Sequence, residues 1–200
     1  MQPLIFCHGF GFDKGFFDRF KALFKDYEIL DWDLGYFGKD QKLLKDKAIG
    51  IGHSLGFLKL LEKKENFEAI ISLGGFVDFL SGSSKRKKEL QNLQDLFLQD
   101  TKKGLKTFYK SLKSSYTPKS PINSEKLLSD LALLHNSYPF PKDIPILALH
   151  AEEDSLVTKG VFEKNFKEAK EKIIIKGDHL FEGQEAFIAE SILRFLDGIS

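Results

Sequence analysis

Short apolar runs alternate with amphipathic segments over most of the chain. Apolar runs bounded by turn residues predict six buried strands, at 3–7, 27–32, 48–52, 69–73, 144–150 and 172–175. Apolar residues that recur every three or four positions predict helices, at 13–25, from 55 onward and at about 184–197. Strands of this kind are typical of parallel sheets that helices cover on both faces. The pattern therefore predicts an α/β fold with a mostly parallel sheet.

The alternation of strands and helices stops between residues 77 and 140, where no strand pattern is found. This stretch instead contains three helical patterns, at 87–99, 101–114 and 124–136. Ser124 is a good N-cap for the third of them. A helical insert between two strands of a sheet is typical of a cap or lid. We therefore predict two units, namely a core formed by 1–76 and 141–200, and a helical cap formed by 77–140.

Length and composition exclude several classes of protein. The chain has 200 residues, which suits one domain, and its 30 Lys and Arg nearly balance its 29 Asp and Glu. This balance argues against binding nucleic acid through overall charge. No apolar run reaches the length of a membrane span, and the first residues do not resemble a signal peptide. The single cysteine, Cys7, excludes an internal disulfide, so we expect a cytoplasmic protein. We also expect a monomer.

The near-zero net charge hides a strong segregation of charge. Residues 81–119 contain ten basic and three acidic residues, a net charge of +7, whereas the rest of the chain has 20 basic and 26 acidic residues, a net charge of −6. Two interpretations remain open. The basic segment is either a set of solvated helix faces or a docking surface for an acidic partner.

The pentapeptide GHSLG, at 52–56, fits the pattern G-x-S-x-G between a predicted strand and a predicted helix. In this context the pattern is typical of a nucleophile elbow, a sharp turn that exposes a serine hydroxyl at the edge of a sheet. The small residues on either side allow the backbones to approach. Ser54 is therefore the candidate nucleophile, and the backbone N–H of Leu55 is a candidate donor to an oxyanion.

A catalytic serine needs a general base and an acid that orients the base. In the chain order Ser, acid, His, the acid and the histidine should follow the last two strands. The last strand leads to His179, which is the candidate base, and the strand before it leads to Asp154, the best-placed acid. Glu152 and Glu153 are the alternatives for the acid, and Asp178 is interpreted as structural.

The loop after the first strand, with the sequence HGFGF at 8–12, is expected to supply the second oxyanion donor. Its two glycines allow close approach of the backbone to a substrate. The N–H of Phe10 is the candidate donor, and the rings of Phe10 and Phe12 are either walls of the substrate pocket or ordinary core aromatics. No histidines have metal-ligand spacing with a carboxylate, so we expect neither a metal nor a cofactor.

Five segments together resemble the α/β-hydrolase superfamily, in the right order and over nearly the whole chain: FCHGFGF, DLGYFG, GHSLG, AEEDSLV and GDHLF. The resemblance implies a minimal α/β-hydrolase fold with about six strands, flanking helices and a helical cap. Within the superfamily the chain most resembles the pimeloyl-[acyl-carrier protein] methyl ester esterases of biotin synthesis. Those enzymes have an HGWG loop where this chain has HGFG, and a D-G-L-V acid loop where it has DSLV.

The resemblance implies a substrate and a partner. The reaction would be hydrolysis of the methyl ester of pimeloyl-[acyl-carrier protein] by a serine carboxylesterase, and the carrier would dock on basic residues of the cap. Four lysines at spacings of three, four and three predict one stripe along a helix: Lys103, Lys106, Lys110 and Lys113. On another face of that helix, Phe108 would border the acyl channel.

Two other functions remain open. The first is a broader, lipase-like carboxylesterase that hydrolyses small free esters and whose lysine stripe is only solvated. The second is a non-catalytic interaction domain on a hydrolase scaffold. The chain also departs from the family pattern, because it begins at the strand that carries the HG loop. In addition, only a turn is expected between Asp40 and the strand that precedes the elbow.

Overall fold

Seven strands form one sheet in the computed structural model, which describes residues 2–42 and 47–199. In chain order they are β1 (Leu4–Cys7), β2 (Ile29–Asp33), β3 (Gln41–Lys42), β4 (Ala48–His53), β5 (Phe67–Leu73), β6 (Ile146–Ala151) and β7 (Glu171–Ile175). Their order across the sheet is β3-β2-β1-β4-β5-β6-β7. All neighbouring pairs are parallel except β2 and β3. The prediction of a mostly parallel sheet of about six strands is therefore confirmed.

The strand β3 was not predicted from the sequence. It has only two residues and pairs antiparallel with β2 at the edge of the sheet. The turn expected after Asp40 lies partly outside the described residues, because 43–46 separate β3 from the following strand. A strand this short has no hydrophobic alternation that the sequence could reveal.

Seven α-helices accompany the described strands: α1 (Asp18–Lys21), α2 (Leu55–Leu61), α3 (Ser84–Gln99), α4 (Thr101–Ser111), α5 (Ser124–Leu133), α6 (Lys159–Asn165) and α7 (Glu185–Asp197). The helix expected at 13–25 is shorter, with a 3₁₀ turn before α1. The helix α6 was not predicted. No helix of the described residues is long and apolar enough to cross a bilayer.

Polar side chains set where two of the three helices between β5 and β6 begin. Asp100 follows α3, where its backbone N–H donates to the carbonyl oxygen of Leu96, and its carboxylate caps α4 by accepting a hydrogen bond from the N–H of Lys103 at 3.0 Å. The side chain of Asn123 accepts from the N–H of Lys126 at 3.0 Å and caps α5. The expectation that Ser124 caps this helix is therefore corrected by one position.

Apolar side chains cover both faces of the sheet. Successive residues of a strand point to opposite faces, so Ile5 and Cys7 lie in one apolar layer, whereas Leu4 and Phe6 lie in the other. The second layer also receives three phenylalanines of the 14–24 segment and the apolar side of α7. Burying each large apolar side chain contributes about 1.5–3 kcal/mol to stability, which makes this two-layer burial the main support of the sheet.

A buried ion pair joins α5 to α2. The Asp130 carboxylate lies 3.0 Å from the Lys59 ammonium, and both side chains are almost fully buried. Asp130 also accepts a hydrogen bond of 2.8 Å from the Tyr36 hydroxyl and pairs with Lys126 at 3.1 Å. These contacts fix the third helix of the 77–140 segment against the helix that follows β4.

Candidate active site

The backbone at Ser54 is strained, as a nucleophile elbow requires. Ser54 has φ 52° and ψ −119° and lies between the end of β4 and the start of α2. A Cβ atom at Gly56 would lie 2.1 Å from the carbonyl oxygen of Cys7, and one at Gly52 would lie 2.6 Å from the backbone of Phe57. Only glycine fits at both positions, so the two glycines let the turn hold a conformation that stores about 1–3 kcal/mol.

Two backbone N–H groups near Ser54 are available to an oxyanion. Leu55 is the first residue of α2, so its N–H has no acceptor within the helix. The N–H of Phe10 forms no hydrogen bond with another described residue. Next to it, Gly11 has φ +75°, a conformation that bulkier residues rarely adopt. The loop after β1 therefore presents a backbone N–H that has no partner among the described residues, and Phe10 lines the same cavity as Ser54.

Asp154 and His179 form a buried hydrogen-bonded pair. The Nδ1 atom of His179 donates to Oδ2 of Asp154 at 2.7 Å, and both side chains are nearly inaccessible to solvent. The other carboxylate oxygen accepts the N–H groups of Leu156 and Val157, each at 2.8 Å. Burial alone raises the pKa of Asp154, but His179 and these N–H groups outweigh it and lower the pKa below 3.8. Asp154 is therefore ionised at neutral pH.

The parallel strands bring this pair to the same edge of the sheet as Ser54, since β4, β6 and β7 all run in one direction. Gly74, which follows β5, lies beside the pair of Asp154 and His179. A Cβ atom there would be 3.3 Å from both Asp154 Oδ2 and His179 Nδ1. Within the described chain, no hydrogen bond joins the Ser54 hydroxyl to His179. Such contacts are often long without substrate and tighten when it binds.

The other predicted acids lie elsewhere in the same loops. Glu152 and Glu153 are exposed, in contrast to the buried pair. Asp178 accepts the N–H of Leu180 at 3.0 Å and so shapes the turn that carries His179. Of the carboxylates considered in these two loops, Asp154 alone contacts the histidine.

Two buried histidines position the site, and sequence reasoning did not assign them this role. The Nε2 atom of His53 lies 2.8 Å from the carbonyl oxygen of His179, and its ring stacks on Phe16 at 4.2 Å. The Nε2 atom of His8 accepts the N–H of Leu34 at 2.9 Å and ties the loop of Phe10 to the end of β2. Their only sequence signal was a histidine at the end of a buried strand.

A cavity of about 270 Å³ lies over Ser54. Phe10 and Phe108, the predicted pocket residues, line it together with Leu55 and apolar side chains of α3 and α5. Phe12 does not line this cavity. It packs against Tyr109 and Tyr116 and lines a separate, more polar depression, so its assignment to the substrate pocket is corrected.

Arg86, at the start of α3, also lines the cavity and was not identified from the sequence. In the sequence Arg86 is one of ten basic residues at 81–119, and no local pattern distinguishes it from the others. Its guanidinium donates to the carbonyl oxygen of Phe79 at 2.9 Å and to that of Leu156. Among the described residues, no group of three or more His, Cys, Asp or Glu side chains is arranged to hold a metal ion.

We expect the free energy of unfolding to fall when the pH is lowered from about 7.5 to about 5.5. Burial lowers the pKa of His53 well below 6.5 and also lowers the pKa of His150, whose ring nitrogens have no hydrogen-bond partner. Below pH 6.5 the unfolded chain therefore binds protons that the folded chain excludes. Each histidine then removes up to about 1.4 kcal/mol per pH unit. Urea unfolding at the two pH values measures the effect.

The substitution His150→Phe provides the control for this pH dependence. It keeps an aromatic ring against Phe162, on which His150 stacks at 4.7 Å, and removes one titrating group. The variant should lose less stability than the wild type over the same pH interval. An equal loss of unfolding free energy in both proteins would contradict the contribution of His150 to the pH dependence.

Comparisons with known proteins bear on the fold. No protein-family model and no curated protein sequence matches the chain. An esterase from Exiguobacterium antarcticum is similar in structure, with a TM-score of 0.75 and 14% identity over 98% of this chain and 92% of that one. A thermophilic esterase from Thermogutta terrifontis has a TM-score of 0.72 and 13% identity, over 100% of this chain and 90% of the other.

A third similar structure is the carboxylesterase CesB from Bacillus subtilis, with a TM-score of 0.63 and 16% identity over 98% of this chain and 84% of that one. At such identities the likeness concerns the arrangement of the elements and not the reaction. The sheet order, the elbow after β4 and these neighbours agree with one another. The chain has the α/β-hydrolase fold.

Proposed function

We propose that the protein is a serine hydrolase that cleaves carboxylic esters. The observation that carries the proposal is the buried pair of Asp154 and His179 at the same sheet edge as the strained elbow of Ser54. The backbone N–H groups of Leu55, in the elbow, and of Phe10, in the loop after β1, and a mostly apolar cavity lined by both residues support the same conclusion. These are the parts that acyl transfer through a serine requires.

In the proposed mechanism, the Ser54 hydroxyl oxygen attacks the ester carbonyl carbon, and its proton moves to Nε2 of His179. The N–H groups of Phe10 and Leu55 donate to the oxyanion of the tetrahedral intermediate. The alcohol leaves with the proton from His179, and the acyl group remains on Ser54. Water then attacks the acyl-enzyme with His179 as base, which releases the acid and restores the hydroxyl.

Asp154 has two tasks in this mechanism. Its Oδ2 atom accepts from Nδ1 of His179, which leaves Nε2 unprotonated and free to act as the base. The N–H groups of Leu156 and Val157 keep the carboxylate ionised, so that its charge stabilises the imidazolium.

Labelling with a fluorophosphonate probe tests the proposal. The probe should add one phosphonyl group per chain, located on the peptide that contains Ser54 by mass spectrometry. A protein with an unreactive Ser54 would instead fit the alternative of a non-catalytic interaction domain.

For the substrate, we propose the methyl ester of pimeloyl-[acyl-carrier protein]. The sequence resemblance suggests it, and the surface around the cavity supports it. Lys103, Lys106 and Lys110 are exposed, and no ion pair joins them to another described residue. On the same helix, Thr107 lies between Lys106 and Lys110, Ser111 follows Lys110, and both line the cavity. An acidic carrier bound to these lysines would therefore stand beside the entrance to Ser54.

Lys113 does not continue this stripe. The helix α4 ends at Ser111, and Lys113 follows it with φ 55°, so the spacing of three after Lys110 no longer places it on the same helical face. The prediction of a helix to 114, and of a four-lysine stripe on it, is corrected. Lys113 is exposed beside the helix end and remains available to the carrier.

We expect the triple charge reversal Lys103→Glu, Lys106→Glu and Lys110→Glu to reduce kcat/KM for carrier-linked substrate by roughly 10–1000-fold at low salt. The variant loses the electrostatic attraction between these lysines and the acidic carrier. Added salt should therefore narrow the difference in kcat/KM between the wild type and the variant. Activity on a free ester should stay unchanged. Both rates are measured as release of methanol or p-nitrophenol.

A matched triple reversal at Lys25, Lys167 and Lys170 controls for net charge, since these lysines are also exposed and lie outside the cavity lining. It should alter both activities little. Equal losses on free and linked esters after reversal of the α4 lysines would contradict the carrier proposal.

The second candidate is a broader carboxylesterase for small free esters. The mostly apolar cavity of about 270 Å³ favours it, because such a site can accept a short acyl chain without a carrier. Complementation of a strain that lacks its pimeloyl esterase, in biotin-free medium, separates the two candidates. Growth supports the carrier-linked substrate, and failure to grow by a well-expressed active enzyme supports the broader esterase.

A further inference from the structure

We propose that Arg86 binds an oxyanion, a carboxylate or a phosphate, that the ester substrate carries in addition to its scissile ester. This inference rests on the proposed function, because it places the anion in the same cavity as Ser54. It narrows the substrates to esters that bear a second, negatively charged group.

The guanidinium of Arg86 is held in place without a ligand. One Nη atom donates to the carbonyl oxygen of Phe79 at 2.9 Å, and the other donates to the carbonyl oxygen of Leu156. The Cζ atom also lies 5.2 Å from the centre of the Phe79 ring. These contacts come from two different loops, after β5 and after β6. The orientation of the cation is therefore determined before a substrate arrives, which lowers the entropy lost on binding.

The charge of Arg86 is not balanced by the protein. No carboxylate of the described residues lies within 4.0 Å of its guanidinium, and the acidic residue that lines the cavity, Glu89, is exposed and pairs with Lys85 at 3.9 Å. Burial lowers the pKa of Arg86, and the more distant charges of Asp154 and Glu89 act against this. A half-buried guanidinium that has no carboxylate close to it stabilises an anion that enters the cavity.

Hydrogen-bond donors also remain on Arg86. A guanidinium has five N–H groups, and two of them are used by the carbonyls of Phe79 and Leu156. The other side chains that line the cavity with Ser54 are mostly apolar, and Arg86 is the one basic residue among the described residues of its lining. A carboxylate or phosphate in this cavity thus finds a single charged donor group.

Arg86 and the candidate nucleophile Ser54 line the same cavity, so one small substrate can contact both of them. Ser54, Leu55 and Phe10 line the same space of about 270 Å³ as Arg86. The Leu156 carbonyl that Arg86 contacts belongs to the loop of Asp154. One molecule can therefore present its ester to Ser54 and an anion to Arg86. A monoester of a short dicarboxylic acid has this form, and so does an acyl group on a phosphate-bearing arm.

Matched ester pairs test the proposal and separate the two anions. The first pair is p-nitrophenyl pentanoate and the p-nitrophenyl monoester of glutaric acid, which differ in a terminal carboxylate. The second pair is a methyl ester linked by a thioester to pantetheine, with and without the terminal phosphate. Wild type should prefer the anionic member of at least one pair. Arg86→Gln should reduce that preference, as a ratio of kcat/KM values, by roughly 10–100-fold.

A preference that depends on Arg86 in the first pair identifies a carboxylate as the anion that Arg86 binds. Such a preference in the second pair identifies a phosphate. Lys87→Gln is the matched control, since it removes one positive charge from an exposed neighbour on α3, and it should keep the preference. An equal loss on both members of each pair in Arg86→Gln would show a purely structural role and overturn the proposal. So would a wild type that prefers neither anion.

Fluorophosphonate labelling separates this proposal from the proposed function. If Ser54 is labelled in wild type and in Arg86→Gln while no preference depends on Arg86, the esterase proposal stands and anion binding is wrong. If Ser54 is not labelled in wild type, the esterase proposal itself fails.

Discussion

Replacing Ser54 by alanine is expected to lower kcat for p-nitrophenyl butyrate by on the order of a million-fold, because the hydroxyl oxygen that forms the acyl-enzyme is removed. His179→Gln should have a loss of similar size, since the proton of Ser54 then has no acceptor. The double variant should be no worse than either single one, because the two groups act as a unit. Initial rates of p-nitrophenol release measure all three.

Ser129→Ala is the matched control, because Ser129 is an exposed serine on α5 whose hydroxyl donates to the carbonyl of Lys126. It should retain wild-type kcat. The variants should also keep the circular dichroism spectrum of the wild type, so that unfolding does not explain the loss. Wild-type turnover by folded Ser54→Ala would mean that another group carries the reaction.

The largest effect on stability is expected from Asp130→Ala. This substitution leaves the ammonium of Lys59 buried without its closest anion, 3.0 Å away, and removes the acceptor of the Tyr36 hydroxyl. Breaking a buried ion pair on one side is expected to reduce the free energy of unfolding by about 3–5 kcal/mol. Urea unfolding at pH 7 measures the change.

The double variant Asp130→Leu with Lys59→Met should recover much of this loss, because apolar side chains of similar size fill the site and no charge remains buried. Asp143→Ala is the exposed control, since Asp143 pairs with Lys64 on the surface, and it should change stability by less than about 1 kcal/mol. If Asp130→Ala lost as little as the exposed control, the buried pair would not secure α5.

Much of the site could be located from the amino-acid sequence, because its parts belong to local patterns. The elbow at 52–56 needs glycines on both sides of Ser54, and the clash distances at Gly52 and Gly56 give the reason. Asp154 follows the buried strand β6 and His179 follows β7, a partly exposed edge strand, and both strands contain a short apolar run that the sequence shows. The predicted neighbours are hydrogen-bonded to each other in the fold, whereas their catalytic role remains a prediction.

The errors arose where distant contacts decide the outcome. Phe10 and Phe12 are two residues apart in a loop, and only their packing partners separate a cavity wall from a core aromatic. Lys113 does not lie on the lysine stripe because α4 ends at Ser111. Helix ends are set by capping and packing more than by periodicity. The short helix α6 has too few turns for a clear periodic signal.

Local sequence patterns specify the alternation of strands and helices, the turn at Ser54 and the chain order of the candidate triad. These features depend on residues within a few positions of one another, so spacing and residue type suffice to predict them. Two other contacts depend on how the elements pack, namely that of Arg86 with the loop of Asp154 and the ion pair of Lys59 with Asp130. Each of these pairs joins residues about 70 positions apart, and such contacts depend on how the elements pack rather than on any local pattern.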